Sequence, residues 1–163
     1  MSLSTAMQDR LNKQLKAELD SAYLYLSMAA HCEEQNLKGF SHWLRMQEVE
    51  EREHAMKIFQ YIADRGGRIA LDRLEKPQSS WSSPLAAAED VLSHERHVTA
   101  MIHELAEAAI AEKDHATETM LHWFISEQVE EEAQAADLVQ RLKIAGTSGP
   151  GLYIIDRELS QRK

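Results

Sequence analysis

Glu48-Val49-Glu50-Glu51-Arg52-Glu53-His54 lies in the middle of a long helical pattern and puts acid where a core-facing helix offers hydrocarbon. Residues three apart share a helix face, so Glu51 and His54 project together. The stripe around them runs Phe40, Trp43/Leu44, Gln47, Glu51, His54, Ile58, Ile62, which places the pair inside it. A carboxylate buried without a partner costs several kcal/mol. A carboxylate oxygen beside an imidazole nitrogen suits a transition metal better than an organic counter-ion. Alone, a Glu-x-x-His pair also fits a solvated helix face, so its meaning depends on the other helices.

Upstream, Ser4 or Thr5 can cap a first helix over about 5–35. Its stripe is Met7, Leu11, Leu15, Glu18, Ala22, Tyr25, Ala29, again with an acid in a core position. The turn Asn36-Leu37-Lys38-Gly39 folds the second helix, about 39–65, back antiparallel, and Arg65-Gly66-Gly67 ends it with glycines suited to a left-handed cap. Arg68-Ile69-Ala70-Leu71 reads as a short extended piece, and Lys76 to Pro84 is loop chemistry long enough to cross a bundle. Ser83 caps a third helix, about 84–112, with Pro84 in its first turn. Its stripe is Ala88, Leu92, Glu95, Thr99, Ile102, Ala106, Ala109. A fourth helix, about 115–145, carries Leu121, Phe124, Gln128, Glu131, Ala135, Leu138, Leu142. Gly146 to Gly151, with Pro150, reads as a hinge before an amphipathic tail helix at about 152–161. The expected architecture is all-α: a four-helix bundle with one long crossover between helices two and three, plus a short C-terminal fifth helix.

Composition agrees. The 163 residues suffice for one domain with a core, and 6 Gly and 3 Pro leave few turn residues. A net charge of −9 argues against nucleic acid as a partner and does not repel metal cations. Cys32 is the only cysteine, so no intrachain disulfide forms, and it is expected to be a small filler of the core. Met1 to Arg10 shows no apolar signal core, and no stretch approaches the roughly 18 apolar residues of a membrane span. The expected location is a reducing cytoplasm.

The four stripes thus carry Glu18, Glu51 with His54, Glu95, and Glu131 with Gln128. Glu95 stands about 19 residues before the Asp114 turn and Glu131 about 17 after it, so both lie roughly 25–29 Å from that end. Glu18 and Glu51 sit about 19 before and 14 after the turn near Leu37, which agrees to within two turns. Acids from four helices at one depth are expected to share bound cations. Of the 8 histidines only His54 is assigned a ligand role; His31, His42, His94, His97, His103, His115 and His122 are expected at the surface.

Glu-x-x-His in the second helix, a lone Glu in the first and third, and Gln128-x-x-Glu131 in the fourth resemble the non-haem bacterial ferritins. The stretches from Glu18 to Tyr25 and from Trp123 to Glu131 look alike too, and the likeness covers essentially the whole chain. It implies an iron-storage subunit with ferroxidase activity, a ferritin-like fold, and self-association into a shell of twenty-four subunits. Carried over, Glu18, Glu51 and His54 hold a first iron; Glu51 bridges to a second, completed by Glu95 and Glu131 with Gln128 close by. Glu50, Glu127, Glu130 and Glu131 match a third iron site, and Tyr25 matches the tyrosine beside the di-iron centre, an electron donor. The expected reactants are Fe(II) with O2 or H2O2, and release of the store calls for an electron donor.

Two departures carry weight. Gln128-x-x-Glu131 replaces a second Glu-x-x-His, so the second iron lacks an imidazole and is expected to be held more loosely. Bacterioferritins place a haem-ligating Met where this chain has Arg52, and Met46 and Met56 are out of step, so no haem is expected. Two other readings compete: a free-standing di-iron oxidase or peroxidase of the rubrerythrin type, and a helical interaction module without metal. The first normally adds the missing Glu-x-x-His and a four-cysteine domain. Shell assembly and Fe(II)-dependent oxygen uptake separate all three.

Overall fold

Local chemistry sets the ends of the helices. The computed structural model describes residues 2–146 and 149–162. Helix α1 (Thr5–Glu34) opens on Ser4, whose hydroxyl accepts from the Met7 amide at 3.0 Å. Helix α2 (Lys38–Asp64) closes through Gly66, which takes φ +69°, a left-handed value without penalty for glycine. Helix α3 (Pro84–Ala111) starts from Ser83 with Pro84 in its first turn, and α4 (His115–Ala145) starts from Asp114, which accepts from the Thr117 amide. Helix α5 (Gly149–Leu159) begins earlier than the expected 152, because Pro150 is tolerated in a first turn and so enters the helix instead of ending a hinge. The middle of that expected hinge, residues 147 and 148, lies outside the described residues. No strand occurs among the described residues, and none of the helices there is long and apolar enough to cross a membrane.

The helices pair as two antiparallel hairpins, α1 with α2 and α3 with α4, packed into one bundle. The crossover between α2 and α3 is irregular throughout, including residues 68–71, and it travels along α1. Asn12 donates to the Arg68 carbonyl and accepts from the Ala70 amide, Asp20 accepts from the Glu75 amide, and Ser27 donates to the Gln78 carbonyl. An extended chain from 68 to 78 covers about 33 Å, enough to follow α1 from Asn12 to Ser27, about 23 Å at helical rise. The connection therefore returns the chain to the far end.

Helix α2 lacks a cap of its own, because Leu37 has no side-chain acceptor. Asp156 of α5 supplies it: its Oδ1 accepts from the Phe40 amide at 3.0 Å. Gly39 makes the approach possible, since a Cβ there would stand 1.6 Å from the Asp156 carbonyl oxygen. Ile155 and Leu159 then bury against the bundle end.

The apolar core is split in two. One cluster, near α5, includes Tyr25, Met28, Leu44, Val91, Ala135 and Leu138. The other includes Leu15, Ala55, Ile58, Val98, Leu121 and Phe124. In every long helix the gap between the clusters is the stretch that carries the acid. One helix sits differently from expectation: in α3 the buried positions are Val91, Val98 and Leu105, whereas Leu92, Thr99 and Ala106 are only half-buried. Both sets share Glu95 and Ile102 at the required spacing, so the pattern alone did not separate adjacent residues on either side of the stripe.

Candidate metal centre

Each of the four gap residues is an acid the bundle has taken out of water: Glu18, Glu51, Glu95 and Glu131 are at most 5% exposed. The two clusters above and below them exclude solvent, while the helical period keeps each acid facing its neighbours. Burial is the first cause of raised carboxyl pKa values at all four, and the acids raise one another further. Glu131 is pushed up to about 7. Glu18 and Glu51 both rise well above the ordinary glutamate value.

Their hydrogen bonding differs. Gln14 on α1 donates to Glu18 at 2.9 Å. Tyr25 donates to Glu95, and Gln128 donates to the other oxygen of Glu95 at 3.2 Å. Gln47 donates to Glu131 at 2.7 Å. Glu51 has nothing: both its oxygens are buried without a hydrogen-bond partner. His54 Nδ1 stands 3.6 Å away, beyond a hydrogen bond, and Glu18 could donate only when protonated. Among the described residues, Glu18, Glu51 and His54 form the group that can hold one metal ion, with ligand atoms all within 4.8 Å of one another. Two carboxylates and an imidazole at that spacing suit a divalent first-row ion.

The remaining candidates lie around this group. Glu95 and Glu131 are near enough for their charge to raise the Glu51 pKa, yet each is held by its own donors. Gln128 turns its amide nitrogen to Glu95 and Thr99 and so acts as a clamp on Glu95. Glu50 is half-buried and paired with Arg162, Glu127 is half-buried, and Glu130 is exposed on α4. Tyr25 is fully buried, and burial and the charge of Glu95 keep its phenol protonated far above the ordinary range.

Three histidines expected at the surface are half-buried instead. His94 packs edge-on against Tyr25 at 5.7 Å and stands 2.7 Å from the Ser21 hydroxyl; burial lowers its pKa. His31 tilts against Trp81, and His42 bonds the Arg162 carbonyl. Cys32 is buried, which pushes its thiol up to about 11. Reading the sequence missed the supporting roles of Gln14, Gln47, Trp123 and Arg162. Trp123 sets its ring edge-on to His54 at 5.3 Å, and Lys57 Nζ lies over the Trp123 ring, 4.0 Å from the centroid. A glutamine at stripe spacing was the available signal for Gln14; for Arg162 the sequence gives none.

Comparison with known proteins agrees with this geometry. The family profile described as Ferritin-like domain matches residues 8–145. A bacterial non-heme ferritin of Bacteroides fragilis (strain 638R) is 41% identical over 160 residues, 98% of this chain and 99% of that protein. The bacterial non-heme ferritin of Escherichia coli O157:H7 is 37% identical over 158 residues, 97% of this chain and 96% of its own. Among solved structures, an open pore ferritin from the hyperthermophilic archaeon Archaeoglobus fulgidus superposes with a TM-score of 0.98 at 51% identity, covering 99% of this chain and 98% of that one. An engineered closed form of the Archaeoglobus fulgidus ferritin matches equally, at TM-score 0.98 and 51% identity over 99% of each chain. A split-core bundle with acids in every gap, matched along nearly its whole length by such proteins, places this chain in the ferritin family.

Proposed function

We propose that the protein stores iron, oxidising Fe(II) at the buried acid cluster and retaining the ferric product inside a shell of its own copies. The observation that carries this reading is Glu51, an acid whose two oxygens have no partner in a cluster with Glu18 and His54. An uncompensated buried carboxylate is costly, and a divalent cation removes that cost. Iron is the substrate. The first Fe(II) goes to Glu18, Glu51 and His54; the second goes to Glu95 and Glu131 with Glu51 between the two. Gln128 keeps Glu95 oriented. The acids released from protons by metal binding favour Fe(III), a harder cation than Fe(II).

Two Fe(II) ions supply two electrons; O2 takes them with two protons and leaves as H2O2, and H2O2 in turn can take two electrons and two protons to give water. Tyr25, bonded to Glu95, stands where it can lend an electron, and its proton goes to that carboxylate. Glu50, Glu127 and Glu130 continue the acids outward from Glu131 as a third, weaker iron position. The shell of twenty-four subunits, the cytoplasmic location and a reductant for release belong to the same reading.

Fe(II)-dependent oxygen uptake tests it, measured on assembled protein and on the His54→Ala variant. The expected result is rapid uptake in the parent protein and a loss of at least roughly tenfold in the variant, since even an outer-shell partner of a ligand costs about 10–100-fold when lost. Equal slow rates in both would remove the ferroxidase reading.

A further inference from the structure

Arg162 follows the last turn of α5, and four residues on one face of α2 hold it there. Its carbonyl accepts from His42 Nε2 at 2.7 Å, and its guanidinium lies over the Trp43 ring, 5.4 Å from the centroid. Nη2 donates to Glu50 at 2.6 Å and Nη1 donates to the Gln47 carbonyl oxygen. Arginine has donors only, so Gln47 must turn its oxygen outward to Arg162 and its amide nitrogen inward. That nitrogen is the donor bonded to Glu131. One guanidinium therefore engages two acids of the cluster, Glu50 directly and Glu131 through a buried amide.

Glu51 supplies the contrast. A cation arriving at Glu18, Glu51 and His54 displaces no cationic or amide donor from Glu51, whose oxygens can take a hydrogen bond only from a protonated Glu18. A cation arriving between Glu50 and Glu131 must take both acids from donors they already have. We infer that Arg162 is a tethered counter-cation that holds Glu50 and Glu131 until a divalent ion displaces it, and so keeps metal at that outer position labile. The charge of Glu50 reaches both Glu51 and Glu131, so a guanidinium on Glu50 also relieves the cluster while metal is absent. Displacement leaves α5 in place, since Asp156 and the buried Ile155 and Leu159 anchor it independently.

The inference rests on the metal-centre reading, and its test keeps the two apart. Zn(II), which is redox-inert, is titrated calorimetrically into the assembled, metal-stripped protein. The parent protein should show a tight class, assigned to Glu18, Glu51 and His54, and a weaker one. Arg162→Ala should tighten the weaker class by roughly two- to fivefold, the scale of a partly exposed ion pair, and leave the tight class unchanged. Arg162→Lys keeps the charge and should stay nearer the parent than Arg162→Ala does. In a Glu50→Gln background, Arg162→Ala should have no further effect on the weaker class. An unchanged weaker class in Arg162→Ala, or an undiminished effect in the Glu50→Gln background, overturns the inference. Absence of a tight class in the parent protein overturns the metal-centre reading instead.

Discussion

Glu51 is the residue at which stability and function oppose each other. Both its oxygens are buried with no permanent donor beside them, and only the Glu18 carboxyl, when protonated, can supply one, so the metal-free fold carries a poorly compensated group. Glu51→Gln keeps the shape and removes the ionisable group. Metal-free Glu51→Gln should therefore be more stable than the parent by about 1–3 kcal/mol, seen as a melting temperature a few degrees higher, while calorimetry finds the tight Zn(II) class gone. A variant that melts lower and still binds tightly would show that Glu51 is satisfied in some other way. The same acids set a pH dependence. Glu131 has a folded pKa of about 7 against an ordinary 4.5, and Glu18, Glu51 and Glu95 move in the same direction. Between those values the folded chain binds more protons than the unfolded chain, so stability falls as pH rises. The contribution from Glu131 is complete below 4.5 and is lost as pH passes about 7. Thermal melts of metal-free protein should thus move down between pH 5 and pH 8, roughly the span of that window. Saturating Zn(II) should reverse the trend, because metal competes with those protons. Melts that rise with pH in the absence of metal would contradict the assignment.

At the scale of elements, α5 and α2 form one unit. Asp156 caps a helix more than a hundred positions upstream, and Gly39 leaves the space in which it does so. Asp156→Ala should cost about 1 kcal/mol through the lost cap, measured by chemical denaturation. Gly39→Ala should do more, because its Cβ would overlap a backbone oxygen of α5 and that helix must shift. The expected reading for Gly39→Ala is a protein of near-normal helical content that fails to assemble, by circular dichroism and light scattering. Normal assembly in Gly39→Ala would mean that α5 is docked by its apolar face alone. The helices themselves were legible in the sequence because stripe spacing, Ser caps and the glycine stop each act within a few residues. The phase of α3 was not, since Ala, Leu, Val and Thr on both sides of Glu95 satisfy the same period.

For the whole molecule, the surface left by the folded chain carries its own prediction. Ile144, Tyr153 and Ile154 are exposed apolar residues on α4 and α5 at one end of the bundle. Large apolar side chains grouped at a surface mark contacts with other chains. The proposed shell of twenty-four subunits of 18.6 kDa would have a mass of about 450 kDa. The double variant Tyr153→Glu, Ile154→Glu should elute as much smaller species with unchanged helical content, by size-exclusion with light scattering. An intact particle would move the shell contact to another surface.

The sequence by itself determined which segments are helical, that the chain must cross the bundle once, and which acid in each helix falls in the apolar stripe. These follow from periods of three and four residues and from capping chemistry, all local quantities. Only the tertiary structure decided how those acids differ. Glu18 takes its donor from one turn earlier on α1, but the others depend on side chains from elsewhere in the chain: Tyr25 for Glu95, Gln47 for Glu131, Arg162 for Glu50, and no permanent donor for Glu51. Those distant partners lie tens of residues away in the chain, and no repeat along one helix records them.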